Sequence, residues 1–274
     1  MSFLISAEEL ADRLGQPNLR VVDASWHLDG RDARADFEQA HIPGAVFFDL
    51  DAVSDPDSPL PHMMPAPADF AEAVGALGVA ADDLIVVYDT AGLFSAARVW
   101  WMFRTMGARD VRVLDGGLPL WQSQGFAVER GAADPRPAMF DAVATPAVVA
   151  GLDDVRHALD GGAQVIDARG TARFAGQAAE PRPGVRSGHM PGAVNLPFGR
   201  LLDPDARMKR GDALARAFVD AGVDLDQPAI TTCGSGVTAA ILTLGLAELG
   251  RASRLYDGSS SEWGGRADTP VQTG

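Results

Sequence analysis

The chain has 274 residues, of which 47% are apolar and 22% charged, a composition that excludes a disordered or low-complexity protein. Its formal net charge is −14, from 23 basic and 37 acidic residues. That balance argues against nucleic acid or an anionic membrane surface as a partner, because Lys and Arg make the contacts to phosphate. The single cysteine, Cys233, leaves no disulfide framework and no Cys-rich zinc site. The opening MSFLISAEELADRLG lacks a basic stretch before an apolar run, and no segment approaches the roughly 20 apolar residues of a membrane span. A cytoplasmic protein is expected.

In chain order, Ser6 and Glu9 have capping-box spacing ahead of the helical run ELADRL. Short apolar runs predict strands at Leu19–Val22, Ala45–Phe48, Leu84–Tyr88 and Val111–Leu114. Between and after them, helical periodicity predicts helices at Ala33–Gln39, Ala68–Leu77, Ser95–Met106 and Leu118–Gln124. The segment Gly131–Val149 carries three Pro and little periodicity, and reads as a linker. Beyond it, strands are predicted at Gln164–Ile166, Ala193–Leu196, Ala229–Thr232 and Ser253–Tyr256. Helices are predicted at Leu152–Leu159, Ala213–Val219 and Val237–Leu249, with a short one near Ser260.

The second series repeats the first. LRVVD ending at Asp23 matches QVID ending at Asp167, and HIPGAV from His41 matches HMPGAV from His189. LIVVYD ending at Asp89 matches PAITTC ending at Cys233, and LDGGLPLW matches YDGSSSEW. Four landmarks in one order at nearly one interval indicate tandem duplication. The expected organisation is an N-terminal domain over 1–130, a linker over 131–149 and a C-terminal domain over 150–274. Each domain is α/β with a mainly parallel sheet flanked by helices. Ligands in such sheets bind beyond the carboxyl ends of the strands, which points to the segments after Asp89 and Cys233.

Cys233 ends a strand and opens Cys-Gly-Ser-Gly-Val-Thr ahead of the helical run AAILTLGLAEL. Two glycines let the backbone turn tightly and aim successive N–H groups inward, and the following helix start adds positive potential. Such surroundings stabilise an anion, and the thiolate is the nucleophilic form of cysteine. A buried structural cysteine is the alternative; the Gly-flanked strand-to-helix turn favours the nucleophile. Asp89 stands at the corresponding place in the first half and cannot be a sulfur nucleophile. His41 and His189, present in both halves, are expected to hold turns. Asp23 and Asp167 are expected to accept hydrogen bonds at strand ends, and Trp100, Trp101 and Phe103 to be core or interface.

Tandem halves with HxPGA, a Cys loop after a central strand and a DG-x-x-x-x-W ending resemble the rhodanese-type sulfurtransferases, over about Leu19 to Gly265. The Cys233–Ala239 loop is similar to that of the members that use 3-mercaptopyruvate. Thiosulfate-preferring members carry two basic residues where Gly234 and Ser235 stand. The resemblance implies transfer of sulfur from 3-mercaptopyruvate through a Cys233 persulfide to a thiol acceptor (thioredoxin, a small thiol, or cyanide), with release of pyruvate. It implies that the backbone of Gly234, Gly236, Val237 and Thr238 holds the persulfide. It assigns Asp51, His62 and Ser235 to a proton relay, and Arg173 and Arg182 to the donor's carboxylate and keto oxygen. Read without the family, His62 is a loop histidine in a Pro-rich segment and either arginine is a solvated surface residue. The chain departs from the family at Ser260, where the DG-x-W pattern has an aromatic. No cofactor or metal is implied. The alternatives are a thiosulfate:cyanide sulfurtransferase using the same cysteine, a phosphatase, which lacks its loop arginine because Ala239 and Ala240 stand there, and a non-catalytic interaction module.

Overall fold

The computed structural model of the protein describes residues 2–274. It contains two compact units. The first comprises residues up to Pro56, Met64–Thr145 and Pro204–Met208; the second comprises Asp57–Met63, Pro146–Asp203 and Lys209–Gly274. A short segment of each sequence half therefore packs with the unit built mainly from the other half.

The first unit has strands β1 (Leu4–Ile5), β2 (Leu19–Asp23), β3 (Val46–Phe47), β4 (Leu84–Tyr88) and β5 (Asp110–Leu114). Its helices are α1 (Ala7–Ala11), α2 (Ala33–Gln39), α3 (Pro67–Ala76), α4 (Ala96–Thr105) and α5 (Gly117–Ser123). The strands lie in the order β1-β5-β4-β2-β3, all parallel. Central strand β4, LIVVY, is buried at every position, as expected for a parallel strand covered on both faces. The capping box at α1 forms as the spacing predicts: Glu9 N donates to Ser6 Oγ and Ser6 N to Glu9 Oε2, each at 3.1 Å.

The second unit repeats the plan with β6 (Val149–Ala150), β7 (Gln164–Asp167), β8 (Val194–Asn195), β9 (Ala229–Thr232) and β10 (Ser253–Tyr256). Its helices are α6 (Leu152–His157), α7 (Thr171–Phe174), α8 (Gly211–Val219), α9 (Ala239–Glu248) and α10 (Ser259–Gly265). The parallel order is β6-β10-β9-β7-β8. Helix α9 is apolar around most of its circumference and buried from Ala239 to Leu246, the pattern of a helix enclosed on all sides.

The duplicated landmarks have duplicated roles. Nδ1 of His41 lies 2.8 Å from Phe37 O, and its ring stacks on Phe37 at 4.0 Å. Nδ1 of His189 lies 2.9 Å from Phe174 O, with a 3.8 Å stack on Phe174. Trp121 Nε1 donates to Ala127 O and Trp263 Nε1 to Pro270 O, at 2.8 and 2.7 Å. Trp100, Trp101 and Phe103 are all buried.

Several expectations need correction. The two-residue strands β1 and β6 and the single-turn α7 are absent from the sequence reading: they are too short to show a period, and no HxPGA turn marks them as it marks β3 and β8. The predicted helix Leu152–Leu159 ends at His157 and widens into a turn over Ala158–Gly162, where Gly161 has φ 103°. The predicted Val237–Leu249 helix begins only at Ala239, after a loop in which Gly236 has φ 78°. Within the expected linker, residues 131–145 pack on the first unit. Gly131 N donates to Glu38 O, Ala138 N to Gly75 O and Thr145 N to Thr105 O. Phe140 is buried there, 5.6 Å from the Phe70 ring and 6.0 Å from that of Phe103. Burying a side chain of this size contributes about 2 kcal/mol, enough to hold the segment against the first unit.

Candidate functional site

Cys233 is the first residue past β9 and is buried. The start of α10 clamps its loop from behind: Ser260 N donates to Cys233 O at 3.0 Å, and Ser261 N to Gly234 O at 2.9 Å. Ser261 Oγ donates to the same Gly234 oxygen at 2.7 Å. In a trans peptide the N–H points opposite to the C=O. With these two carbonyls drawn to α10, the N–H groups of Gly234 and Ser235 face the other way, into the loop. Among the described residues, no acceptor takes the N–H of Gly234, Ser235, Gly236, Val237 or Thr238. The loop is a concave row of backbone donors ahead of helix α9, an arrangement that favours an anion.

Ser259 completes the clamp at the cost of backbone strain. It is fully buried with φ 49°, the left-handed region that side-chain-bearing residues avoid. Its Oγ accepts from Cys233 N at 3.3 Å and donates to Tyr256 O at 2.8 Å. The corresponding residue of the first unit is Gly117, at φ 56°.

The first unit shows what such a loop holds. Asp89 follows β4 as Cys233 follows β9. Its Oδ1 accepts from Ala91 N at 2.9 Å, and its Oδ2 from Phe94 N and Ala96 N at 2.7 and 2.8 Å. Leu118 N donates to Asp89 O at 3.0 Å, as Ser260 N does to Cys233 O. One loop carries its own carboxylate in the row of donors; the other carries a thiol at its head.

His62 belongs to the segment that packs with the second unit. It is buried, has φ 62°, and brings Nδ1 to 3.0 Å from Ser235 Oγ. A buried histidine in the left-handed region is held there by its surroundings. Asp51, expected beside it, belongs to the first unit, where its Oδ2 accepts from Trp26 Nε1 at 3.1 Å.

Both predicted arginines reach the Cys loop. A β-carbon built on Gly234 would stand 3.1 Å from Arg173 Nη2 and 3.8 Å from Arg182 Nη1. A glycine at 234 therefore leaves the guanidinium groups room over the loop. Arg173 is held by Glu180, which accepts from its Nε at 3.2 Å and from its Nη2. Glu180 also accepts from Arg169 Nη1 at 2.8 Å. Arg169 in turn chelates Asp167 through Nε and Nη2 and donates to Gly188 O. Burial alone would lower the Arg169 guanidinium, but Asp167 and Glu180 outweigh it and hold it above its ordinary value. The strand-end role expected of Asp167 is thus joined by an ion pair. Sequence reasoning missed Arg169 and Glu180. The signal was present: Asp23-Ala24-Ser25 becomes Asp167-Ala168-Arg169 in the half that has the cysteine. Among the described residues no group of three or more His, Cys, Asp or Glu could hold a metal ion, and no helix is long and apolar enough to cross a membrane.

A model of the Rhodanese-like domain matches residues 6–124 and again 152–266. The chain is 45% identical over 276 residues to the 3-mercaptopyruvate sulfurtransferase of Escherichia coli K12, covering 99% of this chain and 98% of the relative. It is 45% identical over 275 residues to the human 3-mercaptopyruvate sulfurtransferase, covering 96% and 92%. The crystal structure of an Escherichia coli 3-mercaptopyruvate sulfotransferase superposes with a TM-score of 0.88 at 42% identity, covering 94% of this chain and 99% of that one.

Proposed function

This chain belongs to the rhodanese family and is a sulfurtransferase, and on that premise we propose that it moves sulfur from 3-mercaptopyruvate through Cys233 to a thiol acceptor. The observation that carries the choice of donor is the Gly234–Ser235 pair. No cation is built into the loop there, and Arg173 and Arg182 approach it from outside; guanidinium groups are suited to a carboxylate. The relatives named 3-mercaptopyruvate sulfurtransferase, at 45% identity, support the same choice.

In this reading the Cys233 thiolate attacks the donor sulfur. An S–S bond forms, the C–S bond breaks, and its electron pair leaves on carbon as the pyruvate enolate. Arg173 and Arg182 hold the carboxylate and keto oxygen. The N–H groups of Gly234, Ser235, Gly236, Val237 and Thr238 hold the persulfide anion, as those of Ala91, Phe94 and Ala96 hold the Asp89 carboxylate. Ser235, hydrogen-bonded to His62, takes the donor's thiol proton and delivers it to the enolate carbon, giving pyruvate. The resemblance alone adds Asp51 to this relay. An acceptor thiolate then attacks the outer sulfur, the S–S bond breaks, and Cys233 returns as thiolate. The acceptor is a small thiol or a thioredoxin-like dithiol protein. The cytoplasm, where thiols stay reduced, suits a cycle that runs on one free cysteine.

The test is steady-state turnover with 3-mercaptopyruvate and thiosulfate side by side, with one thiol acceptor. The expected result is a kcat/KM at least about 100-fold higher for 3-mercaptopyruvate, or about 2.7 kcal/mol of differential transition-state binding. A preference for thiosulfate would overturn the choice of donor.

A further inference from the structure

We propose that Glu180 sets the charge of the donor pocket, acting through Arg173, and that this charge is part of what selects a monocarboxylate donor over a dianionic one. The inference rests on the proposed donor and deepens it.

Three guanidinium groups surround the Cys233 loop or support it: Arg169, Arg173 and Arg182. Asp167 neutralises Arg169 by chelation within β7 and the residue two beyond it. Glu180 is different. Its side chain is 3% exposed, and it accepts from Arg169 at 2.8 Å and from both Nε and Nη2 of Arg173. Arg173 is the guanidinium that stands 3.1 Å from the β-carbon position of Gly234. Glu180 therefore does two things at once. It fixes the plane of Arg173 over the loop by a two-point contact. It also places a negative charge against Nη2, the Arg173 nitrogen nearest the loop, so the pocket presents less positive charge than its arginines would alone.

A monoanionic 2-oxo acid loses little from that subtraction, because hydrogen bonds to the arginine fork hold its carboxylate. A dianion such as thiosulfate has twice the charge and loses twice as much. Glu180 lies two residues before Arg182 and seven after Arg173, so α7 and the loop that follows it carry the donor-binding cations and the acid that moderates them. Nothing about the role requires Glu180 to touch the donor; it is a positioning and charge-setting residue.

The experiment is Glu180→Gln in the full chain, with kcat/KM measured for 3-mercaptopyruvate and for thiosulfate. Glutamine keeps the shape and one acceptor while raising the local charge by one unit. That extra unit, acting on the second negative charge of thiosulfate in a partly solvated site, is worth about a factor of ten. The expected result is a thiosulfate-to-mercaptopyruvate ratio about tenfold higher than in the wild type, with a steeper fall of thiosulfate turnover as salt is added. A merely structural role would lower both donors by one factor, and an unchanged ratio in a folded Glu180→Gln protein overturns the proposal. Glu180→Asp keeps the charge and loosens the two-point hold. It is expected to lower both values while leaving the ratio within about twofold, and a tenfold change in ratio there overturns the proposal even if the glutamine variant fails to fold. Failure of the wild type to use 3-mercaptopyruvate would remove the proposed donor itself, an outcome read separately from either ratio.

Discussion

Asp23 is a fully buried carboxyl at the end of β2, and burial pushes it up to about 6, from an ordinary value of 3.8. Hydrogen bonds from Ser25 and Tyr88 work against that rise, and neighbouring Asp89 adds to it. The repeat supplies the comparison: Asp167 occupies the same place with Arg169 two residues on, where the first unit has Ser25. A raised folded value means the fold prefers the protonated form. The resulting stabilisation is complete below about pH 4 and is lost as pH rises through about 6. The rise from 3.8 to about 6 corresponds to about 3 kcal/mol at full ionisation. Asp23→Asn removes the charge and keeps an oxygen for Ser25 N, which lies 2.9 Å from Asp23 Oδ1. It should therefore stabilise the protein by about 3 kcal/mol at pH 8 and by almost nothing near pH 4. Urea unfolding of both proteins across that range, followed by tryptophan fluorescence, measures the difference. A gap that does not change with pH would refute the burial argument.

Two further predictions concern the Cys233 loop. Ser235→Ala should lower 3-mercaptopyruvate turnover by about 100-fold and thiosulfate turnover much less, because only the former expels a carbanion that needs a proton. Equal losses in parallel steady-state assays would remove Ser235 and His62 from the relay. Ser259→Gly gives the clamp the residue found at Gly117. Relief of the left-handed strain should offset the lost Oγ hydrogen bonds to within about 1 kcal/mol of stability. Turnover should still fall, by about three- to tenfold, as the Cys233 amide loosens; a thermal melt and an activity assay read the two effects apart, and full activity would show that the Oγ contact does not position the cysteine.

The duplicated plan was legible in the sequence because its markers are local: apolar runs ending in Asp or Cys, HxPGA turns, and DG followed by a tryptophan. Strands β2, β4, β7, β9 and β10 follow from those runs. Strands β1 and β6 do not: each has two residues and, unlike the equally short β3 and β8, no HxPGA turn before it to mark it, so only their pairing with β5 and β10 makes them strands. The cysteine loop was legible as a strand-to-helix turn with two glycines. The start of α9 is not legible because Val237 and Thr238 are apolar or neutral residues that continue the helical pattern, while Gly236 at φ 78° delays the helix to Ala239. The approach of His62 to Ser235 across 173 positions of chain is legible only through the family resemblance and not from the residues themselves, because 57–63 packs with the second unit. Tertiary packing alone decides it. Glu180 and Arg169 were missed for a related reason: a charged residue in a loop looks solvated until its partner, here Arg173 or Asp167, is seen to bury it.

The most direct test of sulfur transfer through Cys233 is the intact mass of the protein after brief exposure to 3-mercaptopyruvate without an acceptor. Cys233 is the chain's one thiol, so any persulfide has a single possible place. The expected result is a gain of one sulfur atom, carried on the peptide containing Cys233, released by a reductant and absent in Cys233→Ser. No gain in the wild type, or the same gain in Cys233→Ser, would contradict the mechanism.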